Sequence, residues 1–219
     1  MTILLSILFI LILFALFAVV HTWLASDSLK FKIKNRFPRL LPYYRLMYNF
    51  LAIITFLIFY FFSPKPDVII FDLHYPFDML ILFPQFIGIA GLVWTLFHID
   101  GKEFMGISQV MRLRNNSYDY STLDEESHLR ISGPYKISRH PIYFFSIIFL
   151  LFRPYMTLFY AISIFCFIVY FYIGSIFEER KLVARFGNSY IKYQNEVGRI
   201  IPSFKIFLNQ NESKDEINI

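Results

Sequence analysis

The sequence predicts an all-α fold: an integral membrane helical bundle of about five transmembrane helices, with a helical hairpin before a cytoplasmic amphipathic C-terminal helix. Three observations predict it. The 219 residues are 57% hydrophobic and only 17% charged, with mean hydropathy +0.52, whereas a soluble domain is nearer half apolar and a quarter charged. Four long apolar runs approach or exceed the roughly 20 residues that a spanning helix needs. The Lys/Arg content of the segments between them alternates, as the two sides of a membrane require.

The first run covers residues 2–24. It lacks the basic start of a signal peptide, and its apolar stretch is longer than such a peptide needs. Charge follows it instead, in "KFKIKNRFPR", which favours a retained anchor with its N-terminus outside. The second and third runs cover 46–62 and 79–99. The fourth, 141–177, is too long for one helix and is punctuated by "RPYMT" at 153–157. It reads as two helices turning at Arg153–Pro154. Lys/Arg counts are five in 25–43, one in 63–78, six in 99–140, one at the turn and seven in 178–219. Positive segments stay cytoplasmic, so the order is in, out, in, out, in, with a cytoplasmic C-terminus in the inner or plasma membrane. Domains are expected at 1–110 (N-terminal transmembrane region), 111–205 (core with hairpin and C-terminal helix) and 206–219 (polar tail).

This topology brings distant charges together. Arg139 and His140 begin one leg of the hairpin, and Glu178 and Glu179 end the other. Starting the first leg near Pro134, a favourable first helical residue, would put Pro141 inside the helix and kink it. The kink, His140, Tyr143 and two carboxylates would then form a pocket wall. The same residues also allow a plainer reading, in which Lys136 and Arg139 snorkel to lipid phosphates and the glutamates are a solvated helix end. Beyond them Leu182, Phe186, Tyr190, Tyr193 and Val197 recur at helical spacing, as in an interfacial helix.

"HLRISGPYKISRHPIY" followed by "EERKLVARFGNSYIKYQNEVGRIIP" resembles the core of the isoprenylcysteine carboxyl methyltransferase and phospholipid methyltransferase superfamily, membrane enzymes that use S-adenosylmethionine. "HTWLASDSLKFKIK", "YYRLMYNFLA" and, more loosely, "HIDGKEFMGISQV" are similar to NnrU-like proteins and methanethiol S-methyltransferases. The resemblance implies S-adenosylmethionine as cofactor, held by His128, Leu129, Arg130 and Ile131, by Tyr135, by His140, Pro141, Ile142 and Tyr143, and by Glu178; the adjacent Arg139 and Glu179 are expected to join them. A substrate-binding arginine of the prenylcysteine enzymes falls on Gly174 here. That disfavours a prenylcysteine carboxylate and favours a small thiol, ahead of a lipid amine or carboxylate.

The chemistry suits these residue types. Methyl transfer from a sulfonium needs positioning more than acid–base machinery. Glu178 can accept from an ammonium or from ribose hydroxyls. His140, Arg139 and backbone N–H groups near the helix start can hold a carboxylate. Tyr135 and Tyr143 can face adenine or the sulfonium. No catalytic base stands out, His128 and His140 being the nearest candidates. In a competing, non-catalytic accessory reading, His21 and His98 would hold haem. The single cysteine, Cys166, excludes a multi-cysteine metal site, and no metal is expected. The mild +5 charge has no separate basic stripe, so no nucleic-acid partner is expected. The bilayer and a small-molecule or lipid acceptor are.

Overall fold

A computed structural model describes residues 2–121, 123 and 128–203; the polar tail expected at 206–219 lies outside them. The described chain is helical apart from one pair of short strands. Among the described residues, four helices are long and apolar enough to cross a membrane: α1 (Ile3–Leu24), α3 (Leu41–Phe62), α4 (Phe77–Leu96) and α8 (Leu158–Phe186). Many of their large apolar side chains point outward, Leu4 and Phe62 at 75% exposure among them. Water would penalise that heavily, whereas lipid does not. The protein is a helical membrane bundle.

The chain divides into two compact units. The first holds α1, α2 (Asp27–Arg36), α3, α5 (Gly101–Met105), α6 (Ile107–Arg114) and the first nine residues of α8. Its centre is aromatic: Phe14 meets Phe59 edge-on at 5.4 Å, and Phe59 stacks on Phe159 at 6.1 Å. The end of α5 docks on α3 through the Asn49 amide, which donates to the Phe104 and Met105 carbonyls at 3.0 and 3.2 Å. Arg112 forks onto Glu103 with both bonds at 2.9 Å.

The second unit holds α4, α7 (Pro141–Leu151), the rest of α8 and α9 (Asn188–Glu196). Gly88 and Gly91 let α4 and α7 approach closely. A Cβ on Gly88 would lie 2.7 Å from the Phe149 nitrogen, and one on Gly91 would enter the Phe145 ring. Small residues serve this purpose where apolar burial drives no association.

Three expectations are corrected. The first hairpin leg does not start near Pro134. Residues 133–136 form a separate 3-10 turn, and Pro141 is the first residue of α7 rather than a kink within it. Gly133 takes φ +60°, with the His98 ring in the place a Cβ would occupy, so the chain turns there instead of continuing as helix. With 11 residues, α7 rises only ~16 Å and falls short of a span. The second leg does not end at Glu178–Glu179: it is one helix of 29 residues, Leu158–Phe186, that continues past them. The expected amphipathic helix is therefore the last turns of α8 plus α9, separated by Gly187 at φ +55°. The turn at 153–154 is present, tightened by β2 (Tyr155–Thr157) pairing with β1 (Ile69–Asp72).

Candidate active site

The site is built in the second unit where α7 begins. Just before that helix the chain is pinned to the residues that follow α9. The N–H groups of Arg139 and His140 donate to the carbonyls of Gly198 and Arg199, each at 3.0 Å. The Ser138 hydroxyl donates to the Arg199 carbonyl at 2.9 Å. These backbone donors, expected to face an anion, are thus occupied within the fold.

Arg139 is buried, with 8% side-chain exposure. Its Nε and Nη2 fork onto Glu179 at 2.8 and 3.1 Å. Its Nη1 donates to the carbonyls of Gln194 and Val197 at the C-terminal end of α9, at 2.8 and 2.5 Å. A cation there matches the negative end of the helix dipole. Glu179, with 3% exposure, also accepts from Gln194 Nε2 at 2.9 Å, Arg199 Nε at 3.2 Å and His140 Nε2 at 3.2 Å. A carboxylate accommodates about four bonds, so its capacity is filled.

Glu178 contrasts with its neighbour. Its side chain is 50% exposed. The Tyr143 hydroxyl donates to Oε2 at 3.2 Å, and His140 Nδ1 lies 3.4 Å from the same oxygen. The His140 ring therefore bridges the two carboxylates, one through each nitrogen. It stacks on Tyr143 at 5.2 Å and 2°, and Tyr143 stacks on Phe171 at 4.8 Å and 6°. Burial acts to lower the His140 pKa, but the hydrogen bonds and charges of Glu178 and Glu179 outweigh it and leave the imidazole raised above 6.5. Along α8, Phe171, Gly174 and Glu178 follow at steps of three and four and share a face. A Cβ on Gly174 would meet only the Tyr143 hydroxyl, at 4.0 Å, so that face is open.

The preceding segment docks below. Tyr190, Tyr193 and Val197 form a buried cluster against Leu129, Tyr135, Leu182, Val183 and Phe186. The Tyr193 hydroxyl donates to the Tyr135 carbonyl at 2.5 Å. Burial raises the Tyr135 phenol pKa, with Arg130 opposing and the Glu178 carboxylate adding. Arg130 also donates to the His98 carbonyl at 3.0 Å. His128 and Ile131 are exposed, Ile142 is half-buried, and Pro141 is fully buried.

The structure thus brings Arg139, His140, Tyr143, Glu178 and Glu179 into one network. Leu129, Arg130 and Tyr135 attach at its edge. Among the described residues, no hydrogen bond or ion pair ties His128 or Ile131 to it. Sequence reasoning did not reach Phe171, Gln194 and Arg199. Only Phe171 has a positional cue, seven residues before Glu178 on the same helical face, and one phenylalanine among 28 does not stand out by itself. The two histidines of the haem reading are each engaged locally: His21 Nε2 with the Tyr48 hydroxyl at 2.6 Å, and His98 Nδ1 with the Trp94 carbonyl at 2.9 Å.

Three curated proteins are similar over most of the chain. The methanethiol S-methyltransferase of Mycobacterium tuberculosis is 28% identical over 195 residues, covering 88% of this chain and 76% of the relative. That of Pseudomonas deceptionensis is 25% identical over 195 residues, covering 89% and 72%. Methanethiol S-methyltransferase 1 of Bradyrhizobium diazoefficiens is 30% identical over 200 residues, covering 88% and 65%. No family model matches the chain, and no solved structure does.

Proposed function

We propose that the chain, similar over most of its length to these enzymes, is a membrane methyltransferase of the isoprenylcysteine carboxyl methyltransferase-like family and carries a methyl group from S-adenosylmethionine to a small thiol. The observation that carries this reading is Glu178: a half-exposed carboxylate at the polar end of an apolar helix, beside a flat aromatic stack and an open helix face.

The donor set fits that cofactor. A carboxylate accepts from an ammonium or from ribose hydroxyls, and aromatic faces attract a sulfonium. Glu178, His140 and Tyr143 would hold it directly. His128, Leu129, Arg130, Ile131 and Tyr135, with Pro141 and Ile142, complete the set implied by the family resemblance. Arg139 and Glu179 would hold those groups in place from behind. When bound, S-adenosylmethionine would supply an electrophilic methyl carbon for a thiolate sulfur and would leave as a neutral thioether. The chain's own task is orientation, which the bridge from Glu179 through His140 to Glu178 provides by fixing three side chains at once. The alternation of Lys/Arg between apolar runs supports an outside N-terminus and a site facing the cytoplasm.

The test is a calorimetric titration of the purified full chain with S-adenosylhomocysteine, followed by radiolabelled methyl transfer to methanethiol. Saturable binding and labelled dimethyl sulfide are expected. Absence of binding at millimolar ligand would overturn the cofactor; binding with transfer only to phospholipid would overturn the acceptor.

A further inference from the structure

We propose that the first unit carries a specific site for an anionic phospholipid, formed by the end of α1, the short helix α2 and the start of α3. The site has an apolar half and a charged half, and each is built from residues that the methyl-transfer reading does not use.

The apolar half is a cavity of about 220 Å³ lined by Trp23 and Leu24 from α1, Leu29 and Ile33 from α2, and Leu40, Tyr44, Met47, Tyr48 and Leu51 from the segment entering α3. The hydroxyls of its two tyrosines are already engaged. Tyr44 donates to the Leu24 carbonyl, and the Tyr48 hydroxyl bonds His21 Nε2 at 2.6 Å. The rings are left to the cavity without an unmet polar group. A dry cavity of this kind suits hydrocarbon rather than water.

The charged half comes from α2 itself. With ten residues it cannot span, and Ser26 caps its start by accepting from the Leu29 N–H at 3.3 Å. Leu29 and Ile33 face the cavity, while Lys32 and Arg36 on α2, and Arg39 just beyond it, are exposed. Among the described residues none of these three cations has a hydrogen-bond or ion-pair partner. Trp23, Phe31 and Phe37 are 60%, 55% and 56% exposed beside them, the aromatic composition that sits at headgroup level. An apolar cavity lined by Leu29, Ile33 and Leu40, with exposed cations that lack partners among the described residues on the same short segment, selects an amphiphile with an acyl chain and a negative headgroup. A neutral small thiol would leave the cations unused, and a zwitterionic lipid would satisfy them only in part.

Trp23 makes the site directly observable, because the chain has only one other tryptophan, Trp94. In the Trp94→Phe protein in detergent micelles, quenching of Trp23 by phosphatidylglycerol with brominated acyl chains should saturate at concentrations about fivefold or more below those for brominated phosphatidylcholine. Replacing Lys32, Arg36 and Arg39 together by Gln should abolish that preference while leaving quenching by both lipids at the phosphatidylcholine level. Arg39→Gln alone should remove part of it, which keeps the test usable if the triple variant fails to fold. Leu51→Phe, which reduces the cavity, should weaken both lipids equally. Equal quenching by the two lipids in the Trp94→Phe protein would overturn the proposal. So would a preference that survives loss of the cations, or shielding of Trp23 that grows with protein concentration and therefore reports a second copy in the cavity.

Discussion

At the polar end of α8 two adjacent faces carry opposite solutions to the same problem. One presents Phe171, Gly174 and Glu178, with Glu178 half exposed and, among the described residues, holding a tyrosine hydroxyl and one imidazole nitrogen. The other presents Glu179, buried and bonded to Arg139, His140, Gln194 and Arg199. The residues are neighbours, chemically identical and about 100° apart around the helix. The difference teaches that the paired glutamates divide the work. Glu179 closes the second unit by tying residues 40 apart in sequence, and that closure leaves Glu178 with unfilled acceptor capacity at a fixed position.

Breaking the buried side should have the largest effect. Glu179→Ala leaves the Arg139 guanidinium buried without its carboxylate, a change that typically costs about 3–5 kcal/mol. It should lower the melting temperature of the detergent-purified protein markedly and remove cofactor binding along with it. A melting curve within a degree of the parent would show that the clamp contributes nothing. Glu178→Gln is the counterpart. It keeps shape and removes charge on the exposed side, so melting should barely move. Affinity for S-adenosylhomocysteine should fall about 10- to 100-fold, the loss expected for a hydrogen bond to a charged group. Unchanged affinity would remove Glu178 from the site.

The bridge between the two faces titrates. His140 has a raised pKa because both ring nitrogens lie against carboxylates. The folded state therefore holds the imidazole proton more tightly than the unfolded chain, whose value lies near 6.5. The resulting stabilisation is fully present below that pH and is lost as pH rises through the folded value. Melting temperature should fall as pH is taken from 6.5 towards 9, and His140→Asn should flatten that slope. A parent protein with no slope in this window would mean that the imidazole is neutral throughout and donates to only one of the two glutamates.

Much of this pairing was legible in the sequence. Apolar runs of limited length, interrupted at Arg153–Pro154, force Arg139–His140 and Glu178–Glu179 to one end of two legs. The direction of each side chain was not legible, because it depends on contacts between distant segments. Pro134 reads locally as a good helix start. It is overruled by Gly133 packing on His98 and by the Arg139 and His140 N–H groups pairing with residues 198 and 199. Nothing near Glu179 in sequence announces that Gln194 and Arg199 will fill it. Phe171 could have been found, since it repeats the Glu178 face two turns earlier, but one phenylalanine among 28 carries no signal of its own.

Gly174 gives the smallest and most discriminating test of the open face. A Cβ there would meet only the Tyr143 hydroxyl, at 4.0 Å, an ordinary contact. Alanine is favoured over glycine inside a helix by roughly 1 kcal/mol, so Gly174→Ala should melt at or slightly above the parent temperature. Cofactor affinity should stay within about twofold, because the new methyl group would make only an ordinary van der Waals contact with the Tyr143 hydroxyl. Ser175, one residue further along α8 and fully buried, supplies the contrast: enlarging it to Leu should destabilise by about 1–3 kcal/mol through overpacking. If instead Gly174→Ala lost stability or affinity as Ser175→Leu loses stability, the face carrying Glu178 would be as closed as the face carrying Glu179. The two carboxylates would then have to share a single structural role.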